Sequence, residues 1–121
     1  MNTAYLLTTL LLAAMVVFSG LGKIRRVPRI VHVIHEVVGV PLKYFSLLAA
    51  CELGGALGLV LGIWWPSIGV AASIGLVLYF VAATVSHLRV RDVKGIGPAA
   101  FMVAVAAGAL AMRILTLGPP Q

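Results

Sequence analysis

In 121 residues the chain carries 62% apolar and only 10% charged side chains, with a formal net charge of +6. That leaves too few polar groups for a soluble globule, in which charged residues make up about 25% of the composition, and it places the chain among membrane proteins. The nine Lys and Arg residues lack the aromatic interleaving and the single basic face of a nucleic-acid-binding module. The single cysteine, Cys51, leaves no intramolecular disulfide and no C-x-x-C dithiol.

Taken in chain order, the first apolar run covers 4–21. Its positive cluster, Lys23 to Arg29, follows it rather than precedes it, which predicts a retained span rather than a cleaved leader. Along this run Tyr5, Thr8, Met15, Ser19 and Lys23 form a mildly polar stripe ending in a cation. Over 28–38 the polar residues Arg29, His32 and Glu36 recur three and four apart, while Ile30, Val31, Ile34, Val37 and Val38 fill the other arc. This predicts a short amphipathic helix lying at the membrane interface, with Pro28 in its first turn and Gly39 at its stop. Its H-x-x-H-E cluster (His32, His35, Glu36) is not the H-E-x-x-H order of a zinc helix, and it is read as a polar face with no metal.

The next two spans are predicted at 44–64 and 67–88, joined by the uncharged turn Trp64-Trp65-Pro66, where indoles suit the head-group level and proline cannot continue the helix. The fourth is predicted at 98–117, giving four segments of about 20 apolar residues, the length that crosses a hydrocarbon core. Eight of the nine positive charges fall in the two loops after the first and third spans. The positive-inside rule then puts those loops in the cytoplasm and both termini outside it. Arg113, near the end of the fourth span, is expected to snorkel to the outer interface. Cys51 is read as a small apolar helix residue.

Glu52 is the residue least explained by spanning a membrane. It sits about eight residues into its span, roughly 12 Å along the helix axis, where an acidic group is rare and marks a site by default. Ser73, Phe80, Thr84 and His87 fall on one face of the third span, so Glu52, His87 and Lys23 are expected to converge near one end of the bundle, with Thr84 and Ser19 beside them. Glu52 should be buried and bonded across helices to Lys23, His87 or a first-span hydroxyl, because an unpaired carboxylate at that depth costs about 2.5 kcal/mol or more. Gly54, Gly58 and Gly62, and separately Ala100, Ala104 and Gly108, repeat every four residues, a spacing that lets helix backbones approach closely. Either the second and fourth spans pack on each other or one stripe forms a homodimer seam.

Phe18-Ser19-Gly20-Leu21-Gly22-Lys23-Ile24, Gly39-Val40-Pro41, Glu52-Leu53-Gly54-Gly55-Ala56-Leu57-Gly58-Leu59, Pro66 and His87 together resemble the DoxX-like family of small four-span membrane proteins, over essentially the whole chain. The resemblance implies an all-α, up-and-down antiparallel four-helix bundle in one domain, with a helical insertion after the first span. It implies Lys23, Glu52 and His87 as pocket residues and Gly20, Gly22 and Pro41 as structural ones. Relatives are associated with a thiosulfate:quinone oxidoreductase subunit, with mycobacterial membrane redox complexes and, in the branch that includes the animal protein NACHO, with receptor-channel assembly. The expectation is therefore a multi-pass protein of a bacterial cell membrane that binds or helps, engaging membrane lipid, another membrane protein or a second copy of itself in a chaperone-like way. The alternative is a redox-complex subunit or enzyme acting on a quinone or other lipophilic molecule. With no dithiol, Rossmann fingerprint or haem ligand set, the residues assign no catalytic group and no cofactor beyond a bound quinone or lipid.

Overall fold

The computed structural model describes residues 3–116. Among the described residues four helices are long and apolar enough to cross a membrane: α1 (Thr3–Ile24), α3 (Phe45–Leu61, extended at its start by a 3-10 turn, Leu42–Tyr44), α4 (Pro66–Arg89) and α5 (Val93–Leu115). A short helix, α2 (Pro28–Val31), runs on into a π-helical stretch, His32–Val37. The chain is a multi-pass, all-helical membrane protein. Position 117, the expected end of the fourth span, lies outside the described residues.

Local chemistry accounts for the helix ends. Pro66 opens α4 after an extended Trp65, as suits a residue whose missing N–H has no helical partner in the first turn. The turns after α1 and α4 are each made by an arginine in the left-handed region, Arg26 at φ 50° and Arg91 at φ 55°, the conformation that commonly ends a helix. In the π-helical stretch the Val38 N–H reaches back five residues to the Val33 carbonyl (3.0 Å). Gly39 at φ +92° then turns the chain toward Pro41, and only glycine adopts that conformation without strain. Helix α5 starts at Val93, five residues before the expected start, and carries Pro98 inside it. Asp92 occupies the N-cap without a side-chain capping bond, because its carboxylate is held by His87.

Neighbouring helices contact in the cyclic order α1, α3, α4, α5, with α5 closing back on α1. In lipid the hydrophobic effect does not drive helices together, so close packing of small residues must. The buried faces are accordingly rich in alanine: Ala13, Ala49, Ala56, Ala106 and Ala109 lie around Leu12, Val16, Leu59 and Leu76. The small-residue stripe of α3 meets α4, not α5. A Cβ on Gly62 would lie 2.2 Å from the Gly69 Cα, and one on Gly58 would lie 2.7 Å from the Ala72 Cβ. The expected pairing of the second and fourth spans is thus corrected, since α3 and α5 stand diagonally across the bundle. Gly54 and Gly108 have nothing within 4 Å of an added Cβ, and Ala104 is exposed.

The segment after α1 folds back over the end of that helix, where a Cβ on Gly22 would strike Ile30 Cδ1 at 2.3 Å. Apart from this junction with α1, the segment is not closely packed on the bundle. Its apolar side therefore roofs a space instead of filling one.

A buried ion pair beside a roofed cavity

Glu52 is fully buried and Lys23 only 6% exposed, and the Lys23 ammonium forms an ion pair with Glu52 Oε1. The pair bridges α1 and α3. Lys23 Nζ also donates to Ser19 Oγ one turn below it on α1 (2.8 Å), and Tyr79 of α4 donates its hydroxyl to Glu52 Oε1 (3.0 Å). Three helices thus meet at one carboxylate. The second oxygen, Oε2, is buried without a partner among the described residues. Ion pairing and a charge-assisted hydrogen bond together offset part of the cost of holding the charge out of water.

Gly20 permits this approach, since a Cβ there would come within 3.1 Å of Leu53, and a larger residue would push α1 away from the helix that carries Glu52. Tyr79 was not among the expected site residues. The signal available for it was the number of donors a buried carboxylate needs, and Tyr79 is a hydroxyl on a facing helix long enough to supply one.

His87 does not join this group. Its Nδ1 bonds Asp92 Oδ2 at 2.8 Å, and the two side chains are 12% and 16% exposed, so its bonded partner is Asp92 rather than Glu52, while it shares a cavity wall with Lys23 and Ser19. The nearest acid to His87 lies in the turn just after its own helix. Gly95 makes room for that pair, as an added Cβ would fall 2.2 Å from His87 Nδ1. Thr84 and Ser73 donate to carbonyls one turn back on their own helix, Phe80 and Gly69 (both 2.8 Å), a local bond that short hydroxyl side chains favour. Neither hydroxyl reaches Glu52.

Between the roofing segment and helices α1, α3, α4 and α5 lies a cavity of about 760 Å³. Ile30, Val33, Val37, Leu48, Phe80 and Met102 supply apolar wall. Ser19, Lys23, Tyr79 and His87 also line it, whereas Glu52 and Thr84 do not. Glu52 therefore stands behind Lys23 and orients it. The ammonium has three N–H donors, two of which engage Ser19 and Glu52, leaving one for an acceptor in the cavity. Among the lining residues the exposed ones form two groups. Arg29, His32 and Lys94 lie at the basic end, and Ala82 and Pro98 lie on the flanks of α4 and α5. The cavity is reachable both from the head-group level and from within the bilayer.

On the roofing segment His32 pairs with Glu36 (2.7 Å) and His35 Nδ1 bonds the Val40 carbonyl oxygen (2.9 Å), so the two imidazoles hold separate local partners. At the opposite end Arg113 is 5% exposed, with Cζ 4.8 Å over the Tyr5 ring and Nη1 donating to Thr116 Oγ1 (3.0 Å). The expected snorkelling is corrected: the guanidinium stacks inward on α1, where the ring face attracts it. Cys51 is exposed on α3.

The family model described as the DoxX-like family matches residues 7–111 of the chain. No curated protein and no solved structure matches it.

Proposed function

The chain belongs to the DoxX-like family, and from that premise we propose that it is a small membrane binding protein that holds an amphiphile drawn from the bilayer. The observation that carries this reading is the roofed cavity. Its volume of about 760 Å³ falls in the range of ligand sites, and its walls are mainly apolar with a few placed polar groups. Its exposed flank at Ala82 and Pro98 suits entry from the hydrocarbon, and Lys23, held by Glu52 and Ser19, offers a fixed donor to a ligand oxygen. Nothing in the arrangement requires a reaction, so binding is sufficient to account for it. The positive-inside rule supports an orientation with the basic loops in the cytoplasm and both termini outside.

Photolabelling with a lipid that carries a diazirine in its acyl chain tests the reading. Label on Phe80 is expected, since at 6% exposure it is out of reach of lipid around the outside of the bundle. Label restricted to outward residues such as Leu7, Leu57 and Leu78 would rule the cavity out as a lipid site.

A second reading has its own support. Tyr79 and Lys23 both line the cavity and both contact Glu52, so a quinone in the same space would meet hydrogen-bond donors backed by a carboxylate, as a subunit of a redox complex requires. Copurified quinone found by mass spectrometry, and lost on Glu52→Ala, would favour this reading over simple lipid binding.

A further inference from the structure

We infer that the ligand of the roofed cavity is an anionic membrane lipid, its head-group charge seated against Arg29 and Lys94 and its acyl chains lying under the segment 28–38. This rests on the reading of the cavity as an amphiphile site and adds the charge of the amphiphile.

The chain has three acidic side chains in all, and each already faces a basic side chain: Glu36 faces His32, Glu52 faces Lys23 and Asp92 faces His87. Arg29 and Lys94 are exposed cavity-lining cations, and no side-chain carboxylate is left to balance either. Of the acids, only Asp92 lines the cavity, and it already faces His87. With Lys23 balanced by Glu52 and Asp92 bonded to His87, the wall presents Arg29 and Lys94 without a carboxylate of their own, and an anionic occupant supplies the matching charge.

Position supports the same assignment. Both exposed cations lie at the loop end, at head-group level, while Phe80 and Met102 lie along the helices, so polar head and apolar tail are separated along the cavity as they are in a lipid. A zwitterionic choline lipid would bring a quaternary cation to the same rim and be disfavoured. Anionic head groups are attracted to cations at the membrane surface by about fivefold in affinity per Lys or Arg.

The test uses the full chain in neutral detergent micelles with equimolar phosphatidylglycerol and phosphatidylcholine of the same acyl composition, and native mass spectrometry to count retained lipid. Three proteins are compared: the unaltered chain, Arg29→Gln/Lys94→Gln, and Arg25→Gln/Arg89→Gln. The last removes equal charge from exposed positions that do not line the cavity. The unaltered chain and the Arg25/Arg89 variant should prefer phosphatidylglycerol by roughly 25-fold, about fivefold per rim cation, and the Arg29/Lys94 variant should retain both lipids alike. An equal loss of preference in both double variants would make the attraction a general surface effect and overturn the inference. Retention of both lipids without preference by the unaltered chain would overturn the anionic assignment and leave the amphiphile site standing. Retention of neither would overturn the site itself.

Discussion

Replacing Lys23 by Met removes the ammonium while keeping an unbranched side chain on α1. Glu52, fully buried, is then left with the Tyr79 hydroxyl alone, so it must hold an unpaired charge or take up a proton. Removing one partner of a buried pair costs about 3–5 kcal/mol, and Lys23→Met should lie in that range. Glu52→Leu should cost less. Lys23 lines the cavity and its long stem can redirect the ammonium toward the rim, whereas Glu52 has no such outlet. Lys23→Met/Glu52→Leu removes both charges and leaves Tyr79 and Ser19 without these partners, a loss of about 1–3 kcal/mol for an orphaned buried polar group. The double variant should therefore be more stable than Lys23→Met alone, the signature of coupling between contacting residues. Pulse proteolysis across an SDS titration in mixed micelles measures all three. Single variants within about 0.5 kcal/mol of the unaltered chain, or a double variant that shows the sum of the single losses, would refute the role given to the pair.

Other outcomes follow from the same geometry. Gly62→Ala should destabilise by about 2 kcal/mol or more, because its Cβ would meet the Gly69 backbone at 2.2 Å and backbone cannot move aside. Gly54→Ala, with nothing within 4 Å, should be neutral or stabilising by up to about 1 kcal/mol from helix propensity, and the same titration separates the two. Gly95→Ala should disrupt the His87 and Asp92 pair, so its stability loss should not add to that of Asp92→Asn in the combined variant. Gly39→Ala should cost about 1 kcal/mol or more from its φ of +92°, measured likewise. Alkaline phosphatase fused after Gln121 should be active, since four spans return the chain to the side of its start, and an inactive fusion would reverse the orientation.

The spans are legible in the sequence because about 20 consecutive apolar residues have few alternatives to a membrane helix. Gly39 and Pro28 likewise mark the ends of the segment 28–38 through backbone chemistry that needs no knowledge of neighbours. Glu52 draws attention by its cost alone. What periodicity does not supply is which face meets which helix. It groups Ser73, Thr84 and His87 on one face of α4, yet two of these bond carbonyls of their own helix and the third turns to Asp92. Asp92 sits in a short turn where no repeat draws attention to it. Arg113 illustrates the same gap, since reach along its own helix suggests snorkelling while the Tyr5 ring on α1 determines where it lies. The cavity exists because the segment 28–38 stands off the bundle, a tertiary fact that its amphipathic pattern leaves open.

The most direct measurement is an experimental density map of the protein in nanodiscs made from a defined mixture of anionic and zwitterionic lipids. Expected is elongated density beneath residues 28–38, running between Phe80 and Met102 with its head at Arg29 and Lys94, and Lys23 still bridged to Glu52 beside it. An empty space with that segment collapsed onto α4 and α5, or Lys23 turned away from Glu52 into the head groups, would contradict the claim that this chain holds a lipid at a site built on the pair.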